Sequence, residues 1–255
     1  MEIFTQIDTW VALLTLTFLE IILGIDNIIF ISIATSKLPK EQQRKGTNIG
    51  LVLAMIFRII LLLGVSYLIA MKDPWFTINT SWLTTEITGQ SIILILGGLF
   101  LLYKSTSEIH HKVEGITAGE DAPKKKVSTL SKVIVQIVLI DIVFSFDSVL
   151  TAVGMTNGIE GALIIMITAV VISMLIMMIF ANPVSQFVNK HPTIQMLALS
   201  FLILIGFMLI TEGAHLANTV LFNQHVGAIP KGYLYFAIAF SLGVEALNMK
   251  IRKKK

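Results

Sequence analysis

The chain has 255 residues, of which 55% are hydrophobic and only 14% charged. With a mean hydropathy of +0.83 it falls well short of the roughly one-quarter charged content of a water-soluble domain. It has no cysteine, which excludes disulfides, thiolate metal sites and thiol redox chemistry. The net charge of +3 implies no nucleic-acid partner, because the basic residues are better explained by membrane topology.

The apolar residues fall into long runs, and runs of about 18 residues or more are candidates to cross a bilayer. The first spans 10–33. It lacks a basic n-region and exceeds the h-region of a cleavable leader, so it reads as a membrane helix. Within it Leu19-Glu20 is followed, five residues on, by Asp26-Asn27. The second span, 48–71, carries Arg58 near its middle, and the third, 88–103, is short. The polar stretch 112–131, with Gly and Pro, reads as a flexible linker. The fourth span, 133–153, repeats the pattern of the first: Ile140-Asp141, five residues, then Asp147-Ser148. Spans at 161–181, 195–212 and 232–248 complete a set of seven.

Basic residues orient these spans. Sixteen of the 19, among them Lys37, Arg44, Lys112, Lys126, Lys190 and Arg252, fall on one side of a seven-span arrangement. The other side holds only Lys72 and Lys231, together with the interfacial Trp10, Trp75 and Trp82. The N-terminus is therefore expected outside and the C-terminus in the cytoplasm. The first span then runs inward and the fourth outward, so the repeat, offset by 121 positions, is inverted. Gly98 and Lys104 of the third span align more loosely with Gly206 and Glu212 of the sixth. The fold expected is an all-α polytopic membrane protein of two inverted three-helix repeats plus one further helix. Its segments are 1–111, the linker 112–131, 132–231, and the last helix and basic tail 232–255. Secondary transporters are built this way, with the site between the repeats near mid-membrane and one repeat rocking against the other.

At about 100° per residue, positions seven apart nearly eclipse. Glu20, Gly24 and Asn27 thus share one helix face, and so do Asp141, Ser145 and Ser148. Asp26 and Asp147 diverge from those faces by about 120° unless the helices are distorted. A break at Gly24 is expected to relieve this and to free carbonyl oxygens as ligands. An acid at the bilayer centre costs about 2.5–3.5 kcal/mol. Four unpaired carboxylates would cost about 10 kcal/mol, comparable with the net stability of a whole fold. Glu20, Asp26, Asp141 and Asp147 are therefore read as ion ligands or proton carriers, with Asn27 and Ser148 beside them. Arg58 reads first as a salt-bridge partner holding helices together and second as part of ion coupling. Carboxylate, amide and hydroxyl oxygens suit hard cations such as Mn²⁺, Mg²⁺ and Ca²⁺.

Glu212 and Glu245, near span ends, are further candidates. His110 and His111 read as interfacial, and His191, His215 and His225 as loop residues. Met174, Met177 and Met178 are spaced as packing or lipid-facing positions. No phosphate loop, dinucleotide fingerprint or zinc-protease helix is present, so neither an enzyme nor an ATP-driven pump is expected.

The run Leu19-Glu20-Ile21-Ile22-Leu23-Gly24-Ile25-Asp26-Asn27 resembles the TerC family of integral membrane proteins. The resemblance continues through Lys37-Leu38-Pro39, Gly50 to Arg58, Gly97 to Lys104, Asp141 to Asp147, and Val244-Glu245-Ala246-Leu247-Asn248, nearly the whole chain. It implies a seven-helix protein of the bacterial inner membrane tied to metal homeostasis, with Mn²⁺ export its best-supported role and tellurite resistance the source of its name. It also implies Glu20, Asp26, Asn27, Asp141 and Asp147 as metal-site residues. Two readings follow: a Mn²⁺ exporter exchanging protons for metal, or an assembly partner that helps metallate or insert exported proteins.

Overall fold

The computed structural model describes residues 7–117, 128–156 and 158–252, with the side chains of Ile25, Asp26 and residues 115–117 excepted. Among the described residues seven helices are long and apolar enough to cross a membrane. They are α1 (Ile7–Thr35), α2 (Lys40–Leu63), α4 (Gly89–Thr117), α5 (Leu130–Met155), α6 (Ala162–Lys190), α7 (Pro192–Leu216) and α8 (Lys231–Arg252). A short α3 (Val65–Ala70) and four strands, β1 (Pro74–Asn79), β2 (Leu83–Thr88), β3 (Val220–Leu221) and β4 (Gln224–His225), complete the described elements.

Helices α1, α5, α7 and α8 overrun their apolar spans at both ends, and α4 and α6 at their C-terminal ends, because polar residues outside the hydrocarbon region still close helical hydrogen bonds. Two boundaries differ in kind. The second span ends at Leu63, where Gly64 interrupts the helix before α3. The stretch expected to be a linker from residue 112 begins as helix, α4 continuing to Thr117. Residues 118–127 of that stretch lie outside the described residues.

The chain divides into two compact units that do not follow the sequence repeats. The first comprises residues 1–70 and 125–189, hence α1, α2 and α3 with α5 and α6. The second comprises residues 71–124 and 190–255, hence α4, α7 and α8 with the strands. Each unit takes helices from both repeats, so the repeats are not separate bodies.

In the first unit, α2 presents one buried stripe of Gly46, Gly50, Ala54, Arg58 and Leu62, recurring every four residues. Its small members let α2 approach α5 closely. A Cβ on Gly50 would lie 3.0 Å from the side chain of Ile137, and Ala54 is fully buried. Helix α1 runs unbroken through Gly24, contrary to the expected break. The glycine serves packing instead: a Cβ there would fall 2.0 Å from the Sδ of Met177 on α6.

In the second unit α4 and α7 cross with Gly98 and Gly206 face to face. A Cβ on Gly98 would sit 2.5 Å from the Gly206 carbonyl oxygen, and one on Gly206 would sit 2.9 Å from that of Gly98. Gly213 meets Ser91 and Ile95, and Lys112 donates to Gln195 Oε1, so the two helices run antiparallel. The strands form one antiparallel sheet in the order β1-β2-β3-β4. Phe222 and Asn223, both at positive φ, make the two-residue turn between β3 and β4.

Candidate functional site

Charge inside an apolar helix is conspicuous, and the structure gathers three such residues in the first unit. Glu20 comes from α1, Arg58 from α2 and Asp141 from α5. All three are buried, exposed by 5%, 1% and 4% respectively. Arg58 donates through Nη1 to Glu20 Oε2, through Nη2 to Asp141 Oδ1 at 3.2 Å, and through Nε to Ser145 Oγ at 3.0 Å. One guanidinium thus joins the two acids that occupy equivalent places in the two repeats. The planar fork of Arg is suited to this, since its donors diverge at fixed angles where a lysine ammonium is a single point charge.

Asp141 is the more heavily bonded acid. Its Oδ1 also accepts from Asn27 Nδ2 at 3.2 Å, and its Oδ2 accepts from Ser145 Oγ at 3.0 Å. The faces read from the sequence, Glu20–Gly24–Asn27 and Asp141–Ser145–Ser148, turn toward the core together. Ser148 is buried, and its hydroxyl donates to the Ser145 carbonyl at 3.2 Å. With Nδ2 committed to Asp141, Asn27 Oδ1 points elsewhere. It is buried and has no hydrogen-bond partner among the described residues. A buried amide oxygen without a donor is an energetic liability unless a donor or a cation reaches it.

The other candidates are dispersed. Asp147 is half-buried, one position before Ser148. Asp26 lies in the α1 helix, but its side chain is outside the described residues. Glu212 and Glu245 belong to the second unit, whereas the triad belongs to the first. Glu212 is half-buried on α7, and Glu245 accepts from Thr193 Oγ1 at 2.6 Å and from Asn248 Nδ2 at 3.5 Å. Lys104 pairs with Glu108 at 2.8 Å and His110 with Glu114 at 3.1 Å, each one helical turn along α4. Among the described residues no three His, Cys, Asp or Glu side chains converge as a metal cage.

The donor chemistry present is two carboxylates, an amide oxygen and two hydroxyls, which suits a hard cation. With both acids ionised the triad carries a net charge of −1. Arg58 balances only one of them, and a proton or a cation would have to balance the other. Sequence reading located both acids and the arginine but not their junction. The available signal was the small-residue stripe Gly46, Gly50, Ala54, which aims Arg58 at α5.

Seven apolar helices among the described residues, with a buried Arg–carboxylate triad in the first unit, define a polytopic integral membrane protein. Residues 5–255 match the TerC family of integral membrane proteins, and the chain belongs to that family. It is 47% identical over 251 residues to the UPF0053 inner membrane protein YgdQ of Escherichia coli (strain K12), covering 98% of this chain and 96% of that one. It is 43% identical over 246 residues to a UPF0053 protein of Haemophilus influenzae, covering 96% and 95%. Against the UPF0053 inner membrane protein YoaE of Escherichia coli (strain K12) it is 41% identical over 253 residues, 99% of this chain but 45% of that protein. No solved structure matches.

Proposed function

We propose that the chain moves a hard divalent cation, Mn²⁺, out across the bacterial inner membrane through the carboxylate site of its first unit. The observation that carries this reading is the charge imbalance of the triad: two buried acids from equivalent repeat positions on one guanidinium. A purely structural ion pair needs one acid per arginine, and an excess buried carboxylate is disfavoured without a counter-charge. Asn27 Oδ1, without a partner among the described residues and on the α1 face that bears Glu20, supplies a neutral oxygen for the same ion.

In this reading Arg58 holds the acids together when no metal is bound, and the cation competes with the guanidinium for Glu20 and Asp141. The triad becomes neutral on taking one proton, so exchange of metal for protons keeps the site near charge balance in both states. Asp147, one position before the buried Ser148, lines the path by which the ion reaches or leaves the triad, and Asp26 holds the matching place in the sequence of the first repeat. The N-terminus is placed outside and the C-terminus in the cytoplasm, supported by the distribution of Lys and Arg. Placement in the inner membrane is supported by the inner-membrane relatives.

The test is radiolabelled Mn²⁺ flux into proteoliposomes, comparing wild type with Asp26→Asn and Asp147→Asn. The expected result is wild-type flux that both substitutions abolish while the protein stays monodisperse. Wild-type protein that moves no Mn²⁺, with or without a pH gradient, defeats the exporter reading and leaves assembly of exported proteins in its place.

A further inference from the structure

The position between the acid and the polar residue of each repeat, Gly24 in α1 and Ser145 in α5, is approached by one long side chain from a neighbouring helix. On α5 that side chain is Arg58, whose Nε meets Ser145 Oγ at 3.0 Å. On α1 it is Met177 of α6, whose sulfur lies where a Gly24 Cβ would come within 2.0 Å of it. The sulfur is the leading atom, since Cε and Cγ would stand farther off at 3.0 and 3.3 Å. Met177 is 2% exposed, whereas Leu175 and Ile179 of the same helix face outward. Gly24 lies one turn from Glu20 and one from Asn27, and side chains so spaced are about 5–6 Å apart at Cβ. The thioether therefore sits on the face that carries the Glu20 carboxylate and Asn27 Oδ1, which has no hydrogen-bond partner among the described residues.

We infer that Met177 makes the site prefer transition-metal cations to Mg²⁺ and Ca²⁺, its thioether being the soft member of an otherwise oxygen donor set. The inference rests on the transport reading above and adds its selectivity. Oxygen as a donor type does not separate Mn²⁺ from Mg²⁺ or Ca²⁺, which all favour carboxylate and carbonyl donors and differ in size and coordination number. A polarisable sulfur adds little for Mg²⁺ and Ca²⁺ but contributes for first-row transition metals and for Cd²⁺. The glycine opposite is what admits the sulfur, since any side chain at position 24 would occupy its place.

The experiment measures Mn²⁺ flux of the full chain in proteoliposomes against rising Mg²⁺ or Ca²⁺, with Cd²⁺ titrated calorimetrically into the same protein in detergent. The readout is the ratio of competitor to Mn²⁺ that halves the flux, which is independent of how much protein inserts. Met177→Leu, close to isosteric, is expected to lower that ratio and the Cd²⁺ affinity each about tenfold. Gly24→Ala, which evicts the sulfur without removing it, is expected to shift both in the same direction. An unchanged ratio and unchanged Cd²⁺ affinity in Met177→Leu overturn the assignment. Wild-type vesicles that pass no Mn²⁺ overturn the transport reading instead, and the Cd²⁺ titration then decides the role of Met177 by itself.

Discussion

Arg58 and its two acids set the energetics of the first unit at the level of single residues. Breaking a buried ion pair by deleting one partner costs about 3–5 kcal/mol, because the other charge is left without compensation. Arg58→Leu strands two carboxylates at once and is expected to fall at the upper end of that range. The triple variant Arg58→Leu, Glu20→Gln, Asp141→Asn removes every charge and should recover much of the loss, as buried ionic clusters replaced whole commonly do. Thermal unfolding in detergent, followed by tryptophan fluorescence, checks both, and a triple variant no more stable than Arg58→Leu would refute the charge argument. The two acids should not be equal. Among the described residues Asp141 accepts from Arg58, Asn27 and Ser145, whereas Glu20 accepts from Arg58 alone. Asp141→Asn turns an amide NH₂ toward at least one of those donors, so it should lower the unfolding temperature more than Glu20→Gln. Equal effects would mean that the added bonds to Asp141 contribute nothing net.

At the scale of elements, glycine placement was visible in the sequence while its purpose was not. Gly24 beside an acid reads as a hinge, and only the neighbouring helix reveals it as a slot for Met177. The spans themselves were legible because hydrophobic run length is a local property, and the acids because charge within such a run stands out. The partners of those acids depend on helix rotation and crossing, which no local pattern encodes. The strands at 74–79 and 83–88 went unread for another reason: they lie between spans, in segments judged by apolar length and not by alternation. Thr77, Ile78, Thr84, Thr85 and Ile87 were the β-branched signal available. The Gly98–Gly206 crossing yields the sharpest test at this scale. Gly98→Ala drives a Cβ to 2.5 Å from a backbone carbonyl, which must move the helices apart, at about 1–3 kcal/mol. Gly243, in α8, has nothing within 4 Å of an added Cβ. Gly243→Ala should therefore be neutral or raise stability by up to about 1 kcal/mol through helix propensity. Comparable losses from the two substitutions would show that glycine acts here through the backbone and not through close approach.

For the molecule in its membrane, the inverted relation between the repeats stands or falls with topology, and topology was read from charge alone. The absence of native cysteine makes that reading directly testable, since any introduced thiol is the only one to label. Asp73, just before β1, and Gln224 in β4 are exposed residues on loops assigned to the outside. Glu41, in the first turn of α2, is exposed on a loop assigned to the cytoplasm. With a membrane-impermeant maleimide on intact cells, Asp73→Cys and Gln224→Cys should react, and Glu41→Cys should react only after the membrane is opened. The three positions report on three different connections, between α3 and β1, β3 and α8, and α1 and α2. A single misplaced helix would therefore alter the pattern of labelling instead of inverting it. Complete inversion would leave the repeat antiparallel but reverse the direction of proposed transport, because Glu20 and Asp141 would then be reached from opposite faces to those assigned. Labelling of Asp73→Cys and Glu41→Cys from the same side would be more damaging. It would mean that α2 does not cross, and a non-crossing α2 could not deliver Arg58 to a site within the bilayer.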